Sequence, residues 1–355
     1  MNVFINGRFA TQPFSGVQRY AAEIVRALDR QAGTGSGQRF VLLSPRGAPS
    51  AGLTNIPQRW IGRVDGHLWD QWHFSRASRR GVAMSLAMSG PIAHPRQLVV
   101  IHDAAVHRRP EHFSRPYRLA HQFLERRLAR RATIATVSNF SARELAAVLR
   151  LPKSSVVLAP NGADHAYVAP DTRIVERLGL QETPFFLTVG NLTSNKNLSV
   201  VLRALGRSAD PGFRVVMVGQ QLPTIFGATA LGGDPRLILA GRLSDAEVGG
   251  LMRSARSLIF PSRYEGFGLP LLEAMASDCP VLSSSCEAAV EVCAGAAEHF
   301  DPDDDARLAD LMQLALADDG RWRRDRIVAG RMRAEQYRWA DSAAVLAEAC
   351  VALAA

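Results

Sequence analysis

Residues 257–277, SLIFPSRYEGFGLPLLEAMAS, decide the fold. The first six residues are a short apolar run of the kind that fills a buried strand. The last nine space their apolar side chains as a helix does, and Pro270 sits in the first turn, where its missing N–H costs nothing. Between the two, Gly266 and Gly268 permit a tight turn and a close backbone approach. A strand that turns directly into a helix is half of a βαβ unit, and the unit closes on a parallel strand. CPVLSSS at 279–285 supplies that strand.

Outward from this stretch the scheme repeats. FFLTVGN, FRVVMVG and RLILAG are strand-like runs upstream, and NLSVVLRALGRS and DAEVGGLMRSA are helical. The first half carries its own series: MNVFIN, RFVLLS, LVVIH, ATIATVS and SSVVLAP as strands, with VQRYAAEIVRALD and YRLAHQFLERRLARR as helices. Two such series in succession predict two doubly wound, Rossmann-like α/β domains. The polar, proline-bearing stretch near 165–182 marks the boundary. The expected domains are residues 1–170 and 171–338. A last helix over 339–355, WADSAAVLAEACVALAA, is expected to cross back to the first domain. The 355 residues suit two cores rather than one.

Charge separates the halves more sharply than hydropathy does. Residues 1–170 hold 23 Lys and Arg against 9 Asp and Glu; residues 171–355 hold 19 against 24. The net charges are +14 and −5, so the first half is expected to face something anionic. PQRWIGRVDGHLWDQWHFSRASRR places Trp60, Trp69 and Trp72 among five arginines, and Arg115, Arg118, Arg126, Arg127, Arg130 and Arg131 follow. Tryptophan with arginine suits an anionic membrane surface; tryptophans in the core under a solvated Arg-rich face explain the same pattern. No apolar run approaches the ~20 residues of a membrane span. The opening MNVFINGRFATQPF lacks the order of a signal peptide, and four unpaired cysteines fit a reduced, cytoplasmic chain. Nothing resembles a nucleic-acid-reading module.

Ligands of doubly wound sheets bind beyond the carboxyl ends of the strands. There, Glu265 stands at the turn and Glu273 about one helical turn in, where a carboxylate can take both hydroxyls of a ribose. Alone, the two glutamates read more readily as a helix cap and an exposed side chain. Lys196 changes that weight: it is one of only two lysines, and it lies just before a helix, in TVGNLTSNKNLSVVLRAL. A cation and a helix N-terminus together suit a diphosphate. Gly16 precedes the first long helix, and His102-Asp103 ends a strand.

EGFGLPLLEAMASDCPVLSS resembles the signature of glycosyltransferase family 4, retaining enzymes of the GT-B fold, in which two Rossmann-like domains face a central cleft. VGNLTSNKNL, IFPSRYEGFGLPLLEA, IHD, TVSNFSARELA and PNGAD each resemble a family segment, in the right order. The opening GRFATQPFSGVQRYA and the VGN…KNL form are most similar to bacterial polysaccharide mannosyl- and rhamnosyltransferases. The resemblance implies a hexosyltransferase that moves mannose from GDP-mannose, or second a sugar from a UDP-sugar, without a metal. The acceptor it implies is a saccharide, free or carried on a polyprenyl diphosphate. Glu265, His102 and Lys196 would be catalytic. Gly16, Asn191, Lys196, Arg242, Leu243, Glu265, Gly266, Phe267, Gly268, Leu269 and Glu273 would bind the donor. Many family members carry Arg where Asn191 follows Gly190; Arg263 or an N-domain arginine would then have to compensate, or the donor binds less tightly. The rival readings are an inactive nucleotide-binding protein of the same fold and a nucleotide-sugar epimerase. An NAD oxidoreductase would need GxGxxG after the first strand, which is missing. GTGSG at 33–37 follows a helix and reads as a linker, DPDDD at 301–305 as an acidic helix start, and the spacing of Cys279, Cys286 and Cys293 as coincidence.

Overall fold

The computed structural model describes residues 1–34, 38–167, 169–190, 193–208, 210–219 and 234–354. The chain forms two compact units, residues 1–162 together with 338–355, and residues 163–337.

The first unit is a seven-stranded parallel sheet: β1 (Asn2–Asn6), β2 (Arg39–Pro45), β3 (Gln58–Ile61), β4 (Val82–Ser85), β5 (Gln97–Val100), β6 (Thr133–Thr136) and β7 (Val157–Leu158). Their order is β3-β2-β1-β4-β5-β6-β7. The central β1 pairs Val3 with Phe40 on one side and with Val82 on the other. Both faces of the sheet are covered, which is why its central strands are apolar throughout rather than alternating. The helices α1 (Gly16–Ala32), α2 (Arg115–Leu128) and α3 (Asn139–Leu149) supply much of the cover. On α1, Tyr20, Ile24 and Leu28 recur every fourth residue and are fully buried. Leu124 and Leu128 of α2 and Leu145 of α3 pack on Val99, Ile101 and Ile134.

The second unit repeats the plan with β8 (Phe185–Val189), β9 (Arg214–Val218), β10 (Leu237–Gly241), β11 (Ser257–Phe260), β12 (Val281–Ser284) and β13 (Glu298–Phe300). The order is β10-β9-β8-β11-β12-β13, again all parallel. Its helices include α4 (Leu198–Arg207), α5 (Asp245–Ser254), α6 (Leu269–Ala276), α7 (Asp305–Ala317) and α8 (Arg321–Ala334). Val200, Val201 and Leu205 of α4 meet Leu308 and Leu311 of α7 over Phe186, Val215 and Leu282. The final helix, α9 (Trp339–Ala352), belongs to the first unit. Its Trp339 is wholly buried and sets its ring edge-on against Tyr20 at 5.7 Å.

In both sheets the strand order reverses once, between β1 and β4 and between β8 and β11. Such a reversal splits the connecting loops to opposite sides and leaves a crevice at the carboxyl ends of the two strands. Of the three clustered tryptophans, Trp69 is core, whereas Trp60 and Trp72 are exposed. Among the described residues no helix is long and apolar enough to cross a membrane.

Candidate functional site

The crevice of the second unit lies between the loop that leaves β8 and the turn that leaves β11. Gly190 follows β8 with φ +141°, a conformation side chains rarely adopt, and a Cβ there would stand 3.3 Å from Lys196 Cε. The lysine stem therefore runs directly over the glycine backbone. Lys196 closes a short 3-10 turn, Ser194–Lys196. Its Nζ donates to Glu265 Oε1 at 2.6 Å and lies 5.5 Å from the centre of the Phe260 ring.

The asparagines on either side of Lys196 hold this loop in place. Asn195 Nδ2 donates to Tyr264 O at 2.6 Å, and Arg263 N donates to Asn195 O at 3.0 Å. Asn197, buried and left-handed at φ +49°, donates from Nδ2 to Pro261 O at 3.1 Å and to Pro302 O at 2.6 Å. Side-chain amides, with two donors each, are suited to tie together loops whose carbonyls have no ladder partner. Neither asparagine stands out in the sequence, although the NKN spacing around Lys196 is the available signal.

Glu265 to Gly268 form the turn into α6. Gly268 caps the helix at φ +104°, and a Cβ on it would meet Leu271 Cδ1 at 2.7 Å. Phe267 is buried with its ring edge-on to Tyr337 at 5.6 Å, and Leu269 opens the helix. Glu273, on the same helix, is held by a neighbour that sequence did not point to: His165 Nε2 lies 2.8 Å from Glu273 Oε1, both side chains being largely buried. His165 sits in the turn Asp164–Tyr167 at the start of this unit, beside Ala163, whose N–H donates to Tyr337 O at 2.9 Å.

Lys196, Glu265, Gly266, Phe267, Gly268, Leu269 and Glu273 are thus gathered on two loops and one helix start. Arg242 and Leu243 lie elsewhere on the same sheet, just past β10. Asn191 lies outside the described residues. Arg263 forks onto Asp303, with Nη1 donating to Oδ2 at 2.9 Å, which holds the Asp303 carboxyl below its usual range. Its neighbours in DPDDD are likewise spent: Asp304 caps α7 through Arg307 N, and Asp305 pairs with Arg203 and Arg207. Cys286 lies near enough to feel the charges of both Glu265 and Lys196, but burial pushes its thiol up, as it does for Cys279 and Cys293. Among the described residues no three His, Cys, Asp or Glu side chains are placed to hold a metal ion.

Gly16 and His102 belong to the other unit. Gly16 is the exposed first residue of α1. His102 is buried two residues past β5, its ring edge-on to Tyr20 at 4.7 Å and its Nε2 3.0 Å from Leu86 O. A carbonyl only accepts, so Nε2 carries the proton and Nδ1 does not. Burial pushes this imidazole down to about 4, so the ring is neutral near pH 7.

The crevice of the first unit is filled by a different network. Asn6 Nδ2 donates to Asp70 Oδ1 at 2.8 Å, Arg8 Nε lies 3.0 Å from Asp70 Oδ2, and Ser89 Oγ donates to the same oxygen at 3.0 Å. Arg8 also donates to Ser89 Oγ. Asp70 and Arg8 are both buried. In the second unit, then, a partly exposed cation, a carboxylate beside it, a helix start and a second carboxylate one turn on converge at a crevice. That set can bind an anionic group and a pair of hydroxyls at once.

Residues 171–333 match the family described as glycosyl transferases group 1. The chain is 27% identical over 259 residues to the O-antigen chain mannosyltransferase B of Escherichia coli, a match covering 69% of this chain and 67% of that one. It is 33% identical over 108 residues to the serotype-specific mannosyltransferase WbdA of Escherichia coli, covering 30% of this chain and only 13% of the relative. Among solved structures it resembles Anabaena HepE in complex with UDP-glucose, with a TM-score of 0.76, 17% identity and 98% of both chains covered. At that identity the likeness speaks for the fold alone.

Proposed function

We propose that the chain, whose residues 171–333 match the glycosyl transferases group 1 family, is a retaining transferase moving mannose from GDP-mannose to a saccharide acceptor of bacterial surface polysaccharide synthesis. The observation that carries the reading is the Lys196–Glu265 pair at the β8/β11 crevice, 2.6 Å apart and facing the start of α6. Lys196 has two further N–H donors for a diphosphate, and Glu265 stands beside the sugar that the diphosphate carries. Glu273 takes the ribose hydroxyls. Phe267, Gly268 and Leu269 present backbone to phosphate and sugar, and Arg242 and Leu243 border the base.

In the proposed reaction the bond from the sugar's anomeric carbon to the diphosphate oxygen breaks, and its electron pair leaves on the phosphate. The acceptor oxygen bonds to the same face of that carbon, and its proton passes to a phosphate oxygen. Lys196 and the amide end of α6 stabilise the departing charge, in place of a metal. No pair of carboxylates serves the two-carboxylate scheme of glycosidases in this reading. Mannose is favoured by the names of the relatives, and a UDP-sugar is the second choice. The acceptor is proposed to be lipid-linked at the cytoplasmic face of a membrane, in keeping with the +14 first half.

A panel of nucleotide sugars, followed for slow hydrolysis without acceptor, tests this. GDP-mannose is expected to be consumed fastest. Consumption of a UDP-sugar alone moves the donor assignment to uracil, and binding of nucleotide with no turnover of any donor overturns the transferase reading.

A further inference from the structure

A second site lies in the first unit, at the opposite end of the sheet from its crevice. The C-terminal ends of α2 and α3 lead into the amino ends of β6 and β7. Between them opens a cavity of about 590 Å³ lined by Arg126, Ala129, Arg130, Val148, Leu149, Arg150 and Leu151. That volume is within the range of small-molecule sites. Three guanidiniums share it, and none of the three has an acidic partner within ion-pair distance among the described residues. The acids of these helices have other partners: Glu125, whose charge Arg126 also bears on, is wholly buried against His107 at 2.9 Å, and Glu144 pairs with Arg108.

Helix C-termini do attract cations, each carrying about half a negative charge. Two such ends offset roughly one of the three positive charges and leave the groove strongly cationic. Arg150 is also held in the left-handed conformation, φ +58°, at the residue that closes α3, where glycine is usual. On the outer face of α2, leading up to the groove, Leu119 and Phe123 are 60% and 53% exposed, and the Arg127 guanidinium lies 5.0 Å from the Phe123 ring centre.

We propose that this groove binds the phosphate of an anionic lipid headgroup, with Leu119 and Phe123 entering the acyl boundary. Planar guanidiniums fork onto phosphate oxygens in pairs, and exposed apolar side chains beside cations fit the interface of a membrane rather than bulk water. A nucleic acid would use the cations and leave the apolar pair unexplained. The assignment goes beyond the sugar chemistry and needs no donor, so its success or failure is read separately from the transferase assay.

The test is sedimentation of the full chain with vesicles of phosphatidylcholine, alone or with phosphatidylglycerol, at low salt. Three variants are compared with wild type: Arg126→Gln/Arg130→Gln/Arg150→Gln; Arg76→Gln/Arg79→Gln/Arg80→Gln, which removes equal charge from an exposed segment elsewhere in the unit; and Phe123→Ser. All the replaced residues are exposed, and circular dichroism of each variant checks that it folds. Wild type is expected to bind only the anionic vesicles. The groove variant should lose about a hundredfold in partition, from roughly 1 kcal/mol per cation near the surface, and the control variant severalfold at most. Phe123→Ser should weaken partition without changing its salt dependence. Equal losses in the two triple variants overturn the groove assignment, as does absence of vesicle binding in wild type. Saturable binding of glycerol 3-phosphate by calorimetry, with no partition into vesicles, overturns the lipid and leaves a soluble phosphate compound as the occupant.

Discussion

Between β1 and β4 the first unit holds Arg8 against Asp70, with side chains 8% and 0% exposed; between β8 and β11 the second holds Lys196 against Glu265, at 23% and 17%. The strand order around both pairs is the same. Topology therefore provides the crevice in each case, and side-chain chemistry decides whether it is closed or left for a ligand. A guanidinium can be held in a sealed site, here by its ion pair with Asp70 and a hydrogen bond to Ser89. A lysine pair that stays partly wet gains less from its partner and keeps donors for something else.

Breaking the sealed pair should have the largest effect. Asp70→Ala strands the buried Arg8 and is expected to destabilise the first unit by about 3–5 kcal/mol, measured by urea unfolding. Arg8→Met/Asp70→Leu together should recover most of that, because no buried charge then lacks a partner. An Asp70→Ala protein as stable as wild type would mean that the crevice is not sealed.

The open pair should respond the other way round. Lys196→Ala is expected to lower kcat/KM by roughly 10²–10³, the loss of one charge-stabilising donor, while stability changes by less than about 1 kcal/mol. Wild-type turnover by a folded Lys196→Ala protein would remove the lysine from the chemistry.

Acid distinguishes the units without mutation. His67, His94, His102 and His121, all in the first unit, are pushed down mainly by burial. His102, at about 4 in the fold against 6.5 ordinarily, stays neutral while the unfolded chain takes up its proton. Stability from this ring is thus complete above about pH 6.5 and lost as the pH falls towards 4, on the order of 3 kcal/mol in all. Hydrogen exchange, corrected for intrinsic rates, should show β1, β4 and β5 losing protection at pH 5 relative to pH 7 before β8 and β11 do.

The smallest expected effect lies within the open crevice. Glu273→Ala should weaken nucleotide binding by about 1–3 kcal/mol, and a 2′,3′-dideoxy nucleotide should then lose little more. His165→Ala should cost less, about 1 kcal/mol, because it frees the carboxylate without removing it. Partial recovery in His165→Gln would assign the effect to the hydrogen bond. Equal binding of the dideoxy analogue by wild type would make Glu273 structural.

Much of this was legible in the chain because parallel sheets write themselves as apolar runs followed by glycine turns, as in FFLTVGN and SLIFPS. Lys196 stood out for its rarity, and the glutamates for their place in a turn. What escaped was whatever depends on a partner distant in sequence. Arg263 offered itself as a compensating cation, yet its guanidinium is taken by Asp303, 40 residues on. His165 meets Glu273 across 108 residues, and Arg8 is neutralised by Asp70. Arg126 and Arg130 were visible as part of a basic run. Arg150 was not, because only the meeting of α2 and α3 brings it beside them. Trp69 and Trp72 look alike in the sequence, yet Trp69, at the end of the turn Gly66–Trp69, is core, and Trp72, in the wider π-helical turn Asp70–Phe74, is exposed.

The place of α9 sets an order of assembly during synthesis. The first unit is made of two segments of chain with the whole second unit between them. Residues 163–337 are contiguous and can close on themselves as they emerge, whereas the first unit lacks the Trp339 ring against Tyr20 until α9 is made. Removing a buried tryptophan ordinarily costs about 3–5 kcal/mol, so the nascent first unit lacks at least that much until the last helix arrives. The segment that completes the first unit is therefore translated only after the whole of the second unit.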